Sequence, residues 1–160
     1  MRAAAPFALL VGLALLGAGC GDDPPMSKTE YERAFRSELE EFEEGFEYFR
    51  AQRGTRAELI EAFEDLRKLF LRTTDDLAQL DPPDEVRRAH ERYVRGARAY
   101  ANGPVKEAVE AWRRGEKRRA SRLLSDPAEL PVDAMSDTQE AREEFRAKGY
   151  DLGPLGLLSP

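Results

Sequence analysis

From Tyr31 onward the apolar positions recur at intervals of three and four, a period that predicts helices rather than strands. Tyr31, Phe35, Leu39, Phe42, Phe46 and Phe49 form the first stripe. Ser27-Lys28-Thr29-Glu30 precedes it as a capping box, in which the serine hydroxyl takes an orphan backbone N–H while the glutamate reaches back to the cap. A helix over 27–53 follows, closed by Arg53-Gly54. Thr55-Arg56-Ala57-Glu58 is a second box. It opens a helix over 55–80 with the most regular stripe in the chain: Leu59, Phe63, Leu66, Phe70, Thr73, Leu77 and Leu80.

Asp81-Pro82-Pro83-Asp84-Glu85 breaks this helix, because proline lacks the N–H that a helix interior needs. Pro83 suits a first helical turn, and Asp84 and Glu85 complement the positive end of the next helix dipole. Val86, His90, Tyr93, Ala97 and Tyr100 mark a third helix over 82–101, and Asn102-Gly103-Pro104 predicts a stop followed by a restart. A fourth helix over 104–125 carries Val105, Val109, Trp112, Leu123 and Leu124, its stripe interrupted by Glu116 and Arg119. Asp126-Pro127 closes it. Ser136-Asp137-Thr138-Gln139 offers a third box for a short helix ending at Lys148-Gly149, and the segment 150–160 is expected to be mostly irregular, laid along the helices.

No segment alternates with period two between hairpin turns, so a sheet has no support. Long helices with short connections predict an all-α fold: an antiparallel up-down four-helix bundle with a short fifth helix and an irregular C-terminal tail. The bundle is expected over 27–125, with the loop, short helix and tail over 126–160.

Composition adds a compartment. Residues 1–20 hold one basic residue, a run of seventeen uncharged ones ending at Gly19, and then Cys20, the chain's one cysteine. That is the layout of an export signal. The strongly apolar run from Phe7 to Leu16 is about half of the roughly 20 residues needed to cross a bilayer, so a permanent span is the weaker reading. Leu16-Gly17-Ala18-Gly19-Cys20 resembles the lipobox of bacterial lipoproteins, where a small residue precedes a cysteine that is lipidated and becomes the new N-terminus. The family's pattern has Leu three residues before the cysteine; here Gly17 stands there and Leu16 lies one position further back. Gly17-x-Gly19 is also a small-x-small site that an ordinary signal peptidase could cut at the same bond.

The resemblance implies a signal peptide over 1–19, a lipidated Cys20 with a tether over 20–26, and attachment to the extracytoplasmic face of the cell membrane. A single unpaired thiol on an exported chain is oxidisable and has no partner; lipidation consumes it. Leu77-Ala78-Gln79-Leu80-Asp81-Pro82-Pro83, with His90 following, is similar to a linker recurring in small exported helical proteins of high-GC Gram-positive bacteria. That resemblance supports the helix-turn-helix reading and implies no activity.

Charge limits the partners. With 25 basic and 31 acidic residues the net charge is -6, which gives a phosphate backbone no global attraction, and no nucleic-acid partner is expected. The predicted helices over 27–53 and 55–80 are acidic, whereas those over 82–101 and 104–125 are basic. Side by side in a bundle, Glu38–Glu47 of the first would partly face Arg113–Arg122 of the fourth. A sharper alternative lets Arg118, Arg119 and Arg122 contact an anionic membrane near the tether.

Candidate chemistry is sparse. His90 is the one imidazole, and the Glu-x-x-His pair of di-iron bundles is absent because Arg87 stands three residues before it. No nucleophile elbow or phosphate loop is present, so no catalytic residue, metal or cofactor is expected. A core histidine hydrogen-bonded across helices is the expectation. The ligand-facing alternative has His90, Tyr93, Tyr100 and Trp112 line an aromatic pocket between the third and fourth helices for a small apolar or aromatic molecule. The leading functional expectation is a non-enzymatic, lipid-anchored bundle that binds or organises another envelope component, with an envelope protein as a possible partner.

Overall fold

Two capping boxes close as their sequences predict and set the first two helices. The computed structural model describes residues 24–126, 129 and 131–153. At the start of α1 (Lys28–Ala51) the Glu30 N–H donates to Ser27 Oγ, and the Ser27 N–H donates to the Glu30 carboxylate at 2.9 Å. Thr55 and Glu58 repeat the exchange at the start of α2 (Arg56–Ala78), where the Thr55 N–H lies 2.7 Å from the carboxylate. The expected signal peptide, Cys20 and residues 154–160 lie outside the described residues.

The third helix departs from expectation. α3 (Arg87–Tyr100) does not stop at Asn102-Gly103-Pro104 but runs through a π-helical turn, Ala101–Val105, into α4 (Lys106–Arg114). Pro104 cannot donate a hydrogen bond, and its ring would crowd the Tyr100 carbonyl in a regular helix. The wider π turn accommodates it within a continuous helical run. The result is a continuous rod from Arg87 to Arg114, roughly 40 Å long at about 1.5 Å per residue.

Reversal comes instead at Gly115, whose φ of 84° is a left-handed conformation open to glycine. The Glu116 N–H donates to the Ala111 carbonyl at 2.8 Å, capping the rod's end in a Schellman arrangement. α5 (Lys117–Ser125) then folds back on α4, and α6 (Val132–Ala147) continues in the same sense along α3. The fold is therefore an all-α bundle in which the third helix is long and the fourth is divided into α5 and α6. Ser136 opens no capping box. Pro131 starts α6 a turn earlier, and the Ser136 hydroxyl, now inside the helix, donates to Glu140 at 2.9 Å.

Glycines set the closest approaches. A Cβ on Gly96 would lie 2.7 Å from both the Ala134 carbonyl oxygen and Thr138 Cγ2, so α3 and α6 touch almost backbone to backbone. Arg92 reaches Glu140 and Glu144, and Arg95 makes two 2.8 Å bonds to Asp137, lacing the edges of this contact.

The ends of the bundle are chemically distinct poles. At the first, the Met26 N–H donates to the Asp81 carbonyl at 3.0 Å, Lys28 Nζ to the Gly149 carbonyl, and the Tyr150 hydroxyl to Glu85 at 2.6 Å. At the second, Arg56 at the start of α2 donates to the carbonyls of Trp112 and Arg113 at the end of α4. Tyr150 and Leu152 are buried, so the segment after α6 lies along the helices as expected as far as Gly153.

Candidate functional site

His90 sits one turn into α3, on the face that meets α1 and α2, and is 4% exposed. Tyr31 of α1 places its hydroxyl 3.0 Å from His90 Nδ1, a hydrogen bond that ties α1 to α3 inside the core. Burial lowers the His90 pKa from 6.5 to about 4; Arg87 pushes the same way and Glu91 opposes. Burial also raises the Tyr31 hydroxyl well above its ordinary range. The expected core histidine bonded across helices is the one observed.

The three other ring residues proposed to share a pocket do not converge. Each pairs with a different phenylalanine at a different height: Tyr93 with Phe35 at 5.4 Å, Tyr100 with Phe70 at 5.5 Å, and Trp112 with Phe63 at 5.7 Å between ring centroids. Because α4 follows α3 without a reversal, the two do not face each other as antiparallel neighbours with the rings between them. They are the rungs by which the rod packs on α1 and α2. An open groove of about 400 Å³ does reach His90, but Ala78, Glu91, Val94, Arg98 and Asn102 line it rather than the other three rings. Its Arg98 is held by Asp75 at 2.5 Å.

The basic cluster is also placed differently from expectation. Arg113 pairs with Glu64 of α2, not with the acidic run of α1, because α4 continues the rod that packs beside α2. Arg114 and Arg119 share Glu116, at 2.9 and 3.8 Å, and Arg122 lies 3.8 Å from Glu129. Arg118, Arg119 and Arg122 are all exposed on α5. They lie on the half of the bundle that turns at Gly115, with α5 reaching back to Tyr100, whereas Met26 lies at the first pole.

Among the described residues, no group of three His, Cys, Asp or Glu side chains is gathered as a metal site, and no helix is long and apolar enough to cross a membrane. Sequence periodicity placed His90 on the apolar face but did not find Tyr31 as its partner. The signal that could have found it is that a tyrosine heading a core stripe needs somewhere to put its hydroxyl. No family model, curated protein or solved structure matches the chain.

Proposed function

We propose that this chain is a non-enzymatic envelope lipoprotein, anchored to the extracytoplasmic face of the membrane through Cys20, which holds up a helical bundle that binds or organises another envelope component. The observation that carries the reading is the sequence Leu16-Gly17-Ala18-Gly19-Cys20 at the end of an apolar leader, with six residues between the cysteine and the first helix cap at Ser27. Those residues span at most on the order of 20 Å, so the pole containing Met26 faces the bilayer. Two acyl chains, at roughly 0.8 kcal/mol per buried methylene, suffice for stable attachment.

The state of His90 supports a binding role over a catalytic one. Its Nδ1 is bonded to Tyr31, and burial keeps it uncharged. The rod from Arg87 to Arg114 then acts as a spacer that carries the second pole roughly 40 Å from the anchored one.

Intact-mass measurement on the membrane fraction tests the proposal. The expected product begins at residue 20 and carries acyl groups, and Cys20→Ser abolishes both the modification and membrane retention. An unacylated chain beginning at residue 20 and free in the medium, or an unprocessed chain in the cytosol, would overturn it.

A further inference from the structure

After α6 the chain turns at Gly149, whose φ is 72°, and tracks along α1 in the direction of α1 itself. Lys28 Nζ donates to the Gly149 carbonyl at 2.6 Å and stands 4.8 Å from the Tyr150 ring centroid. The Asp151 N–H donates to the Glu32 carboxylate at 2.9 Å, the Asp151 carboxylate lies 3.4 Å from Arg36, and Gly153 rests against the Arg36 side chain. Lys28, Glu32 and Arg36 form one row at a spacing of four, so the segment from Gly149 to Gly153 advances about 12 Å along the helix. That is the pace of an extended chain, about 13 Å over the same residues. Ahead of Gly153 a groove of about 50 Å³ continues the path, lined by Leu39, Glu40 and Glu43 of α1. Phe46 follows one turn beyond Glu43, on the face of α1 that carries Leu39, and is only half-buried.

We propose that this flank of α1 is the docking surface for the chain's own residues 154–158, which continue the path as a strap, with Leu155 in the groove of Leu39, Glu40 and Glu43 and Leu157 over Phe46. The composition fits an apolar groove: Pro154-Leu155-Gly156-Leu157-Leu158-Ser159-Pro160 holds no charged residue, in a chain of which 35% is charged. Pro154 disfavours helical backbone at Gly153 and so keeps the path extended. Alternation along an extended chain puts Leu155 and Leu157 on one side. At about 3.3 Å per residue they stand roughly 7 and 13 Å past Gly153, the heights of Glu40 and of Gly45 to Phe46 on a helix that rises about 1.5 Å per residue from Arg36. A partner of the bundle meets this flank only by displacing the strap.

The test uses the full chain carrying Cys20→Ser, so that the outcome is independent of the anchor. Leu157→Ser is expected to lower the urea midpoint by about 0.5 M, through the apolar surface it no longer covers. In a Phe46→Ala background the same substitution should lower the midpoint by less than half as much, because the contact is already gone. In a Tyr48→Ala background the full shift should return, since that ring is 73% exposed on another face of α1. The midpoint of the parent should stay constant over a tenfold range of protein concentration. No shift with Leu157→Ser or an equal shift in the Phe46→Ala and Tyr48→Ala backgrounds would overturn the proposal. So would a midpoint that rises with concentration, the sign of a groove filled by a second copy.

Discussion

Acidification to pH 5 should cost this fold about 2 kcal/mol through His90 alone. The ring is 4% exposed and its pKa falls from 6.5 to about 4 on folding. A base with a lowered folded pKa binds fewer protons folded than unfolded, so stability falls as pH drops from about 6.5 toward 4 and levels off below that. At about 1.4 kcal/mol per pKa unit the full span is worth roughly 3 kcal/mol, of which about 2 is lost between pH 7 and pH 5. The exposed carboxylates lowered by their partners, such as Glu58 and Glu116, act below about pH 4.5 and are screened by solvent. Glu38, raised by burial, titrates above the ordinary carboxylate range with the opposite sign, so the imidazole's share is read as a difference from a variant that lacks it. Urea unfolding at pH 7, 6 and 5 of the parent and of His90→Gln, which cannot titrate, isolates the contribution. The parent's stability should fall by about 2 kcal/mol more than the variant's. Because the chain has one histidine, its imidazole proton resonance in an NMR titration belongs to one site and should move with a midpoint near 4. Parallel pH profiles for the two proteins, or a midpoint at 6.5, would refute the closed, neutral His90.

Other expectations probe the same packing. Tyr31→Phe removes the hydroxyl that serves His90 Nδ1 and should cost about 1–3 kcal/mol in urea unfolding, with an unchanged far-ultraviolet dichroism spectrum. Gly96→Ala should destabilise by about 1–3 kcal/mol despite alanine's better helix propensity, because its Cβ meets a backbone carbonyl at 2.7 Å; a rise in melting temperature would contradict the close α3–α6 contact. Thr55→Ala opens the second capping box and should cost about 1 kcal/mol, read from the denaturant midpoint. Gly115→Ala strains the turn at φ 84° and should destabilise by about 1 kcal/mol, whereas Gly103→Ala, with its nearest neighbour 3.7 Å away and no left-handed φ, should not.

Local physics made much of the bundle legible in advance. Ser27 with Glu30 and Thr55 with Glu58 are complete within four residues, so both helix starts could be seen without tertiary information. The stripes through Phe35 and Phe70 likewise announced which faces are buried, since an amphipathic helix has one apolar side to hide. Arg113-Arg114-Gly115 already carried the signature of a helix end, basic last turn then glycine, yet the stronger-looking Asn102-Gly103-Pro104 competed for the same turn.

Choosing between those two breaks is a long-range matter. Tyr100 and Ala101 pack in the core with α2 on the near side of Pro104, while Arg56, from the start of α2, binds the carbonyls at which the rod ends. The same choice separates Tyr93, Tyr100 and Trp112 onto different rungs and carries Arg118, Arg119 and Arg122 to the half of the bundle that turns at Gly115. Sequence alone determined the helical period, two caps and the burial of His90, because each depends on neighbours within a few residues. Tertiary structure decided where the third helix turns, what Tyr31 does for His90 and which acidic partners the arginines of α4 and α5 meet, because those depend on how the helices pack together.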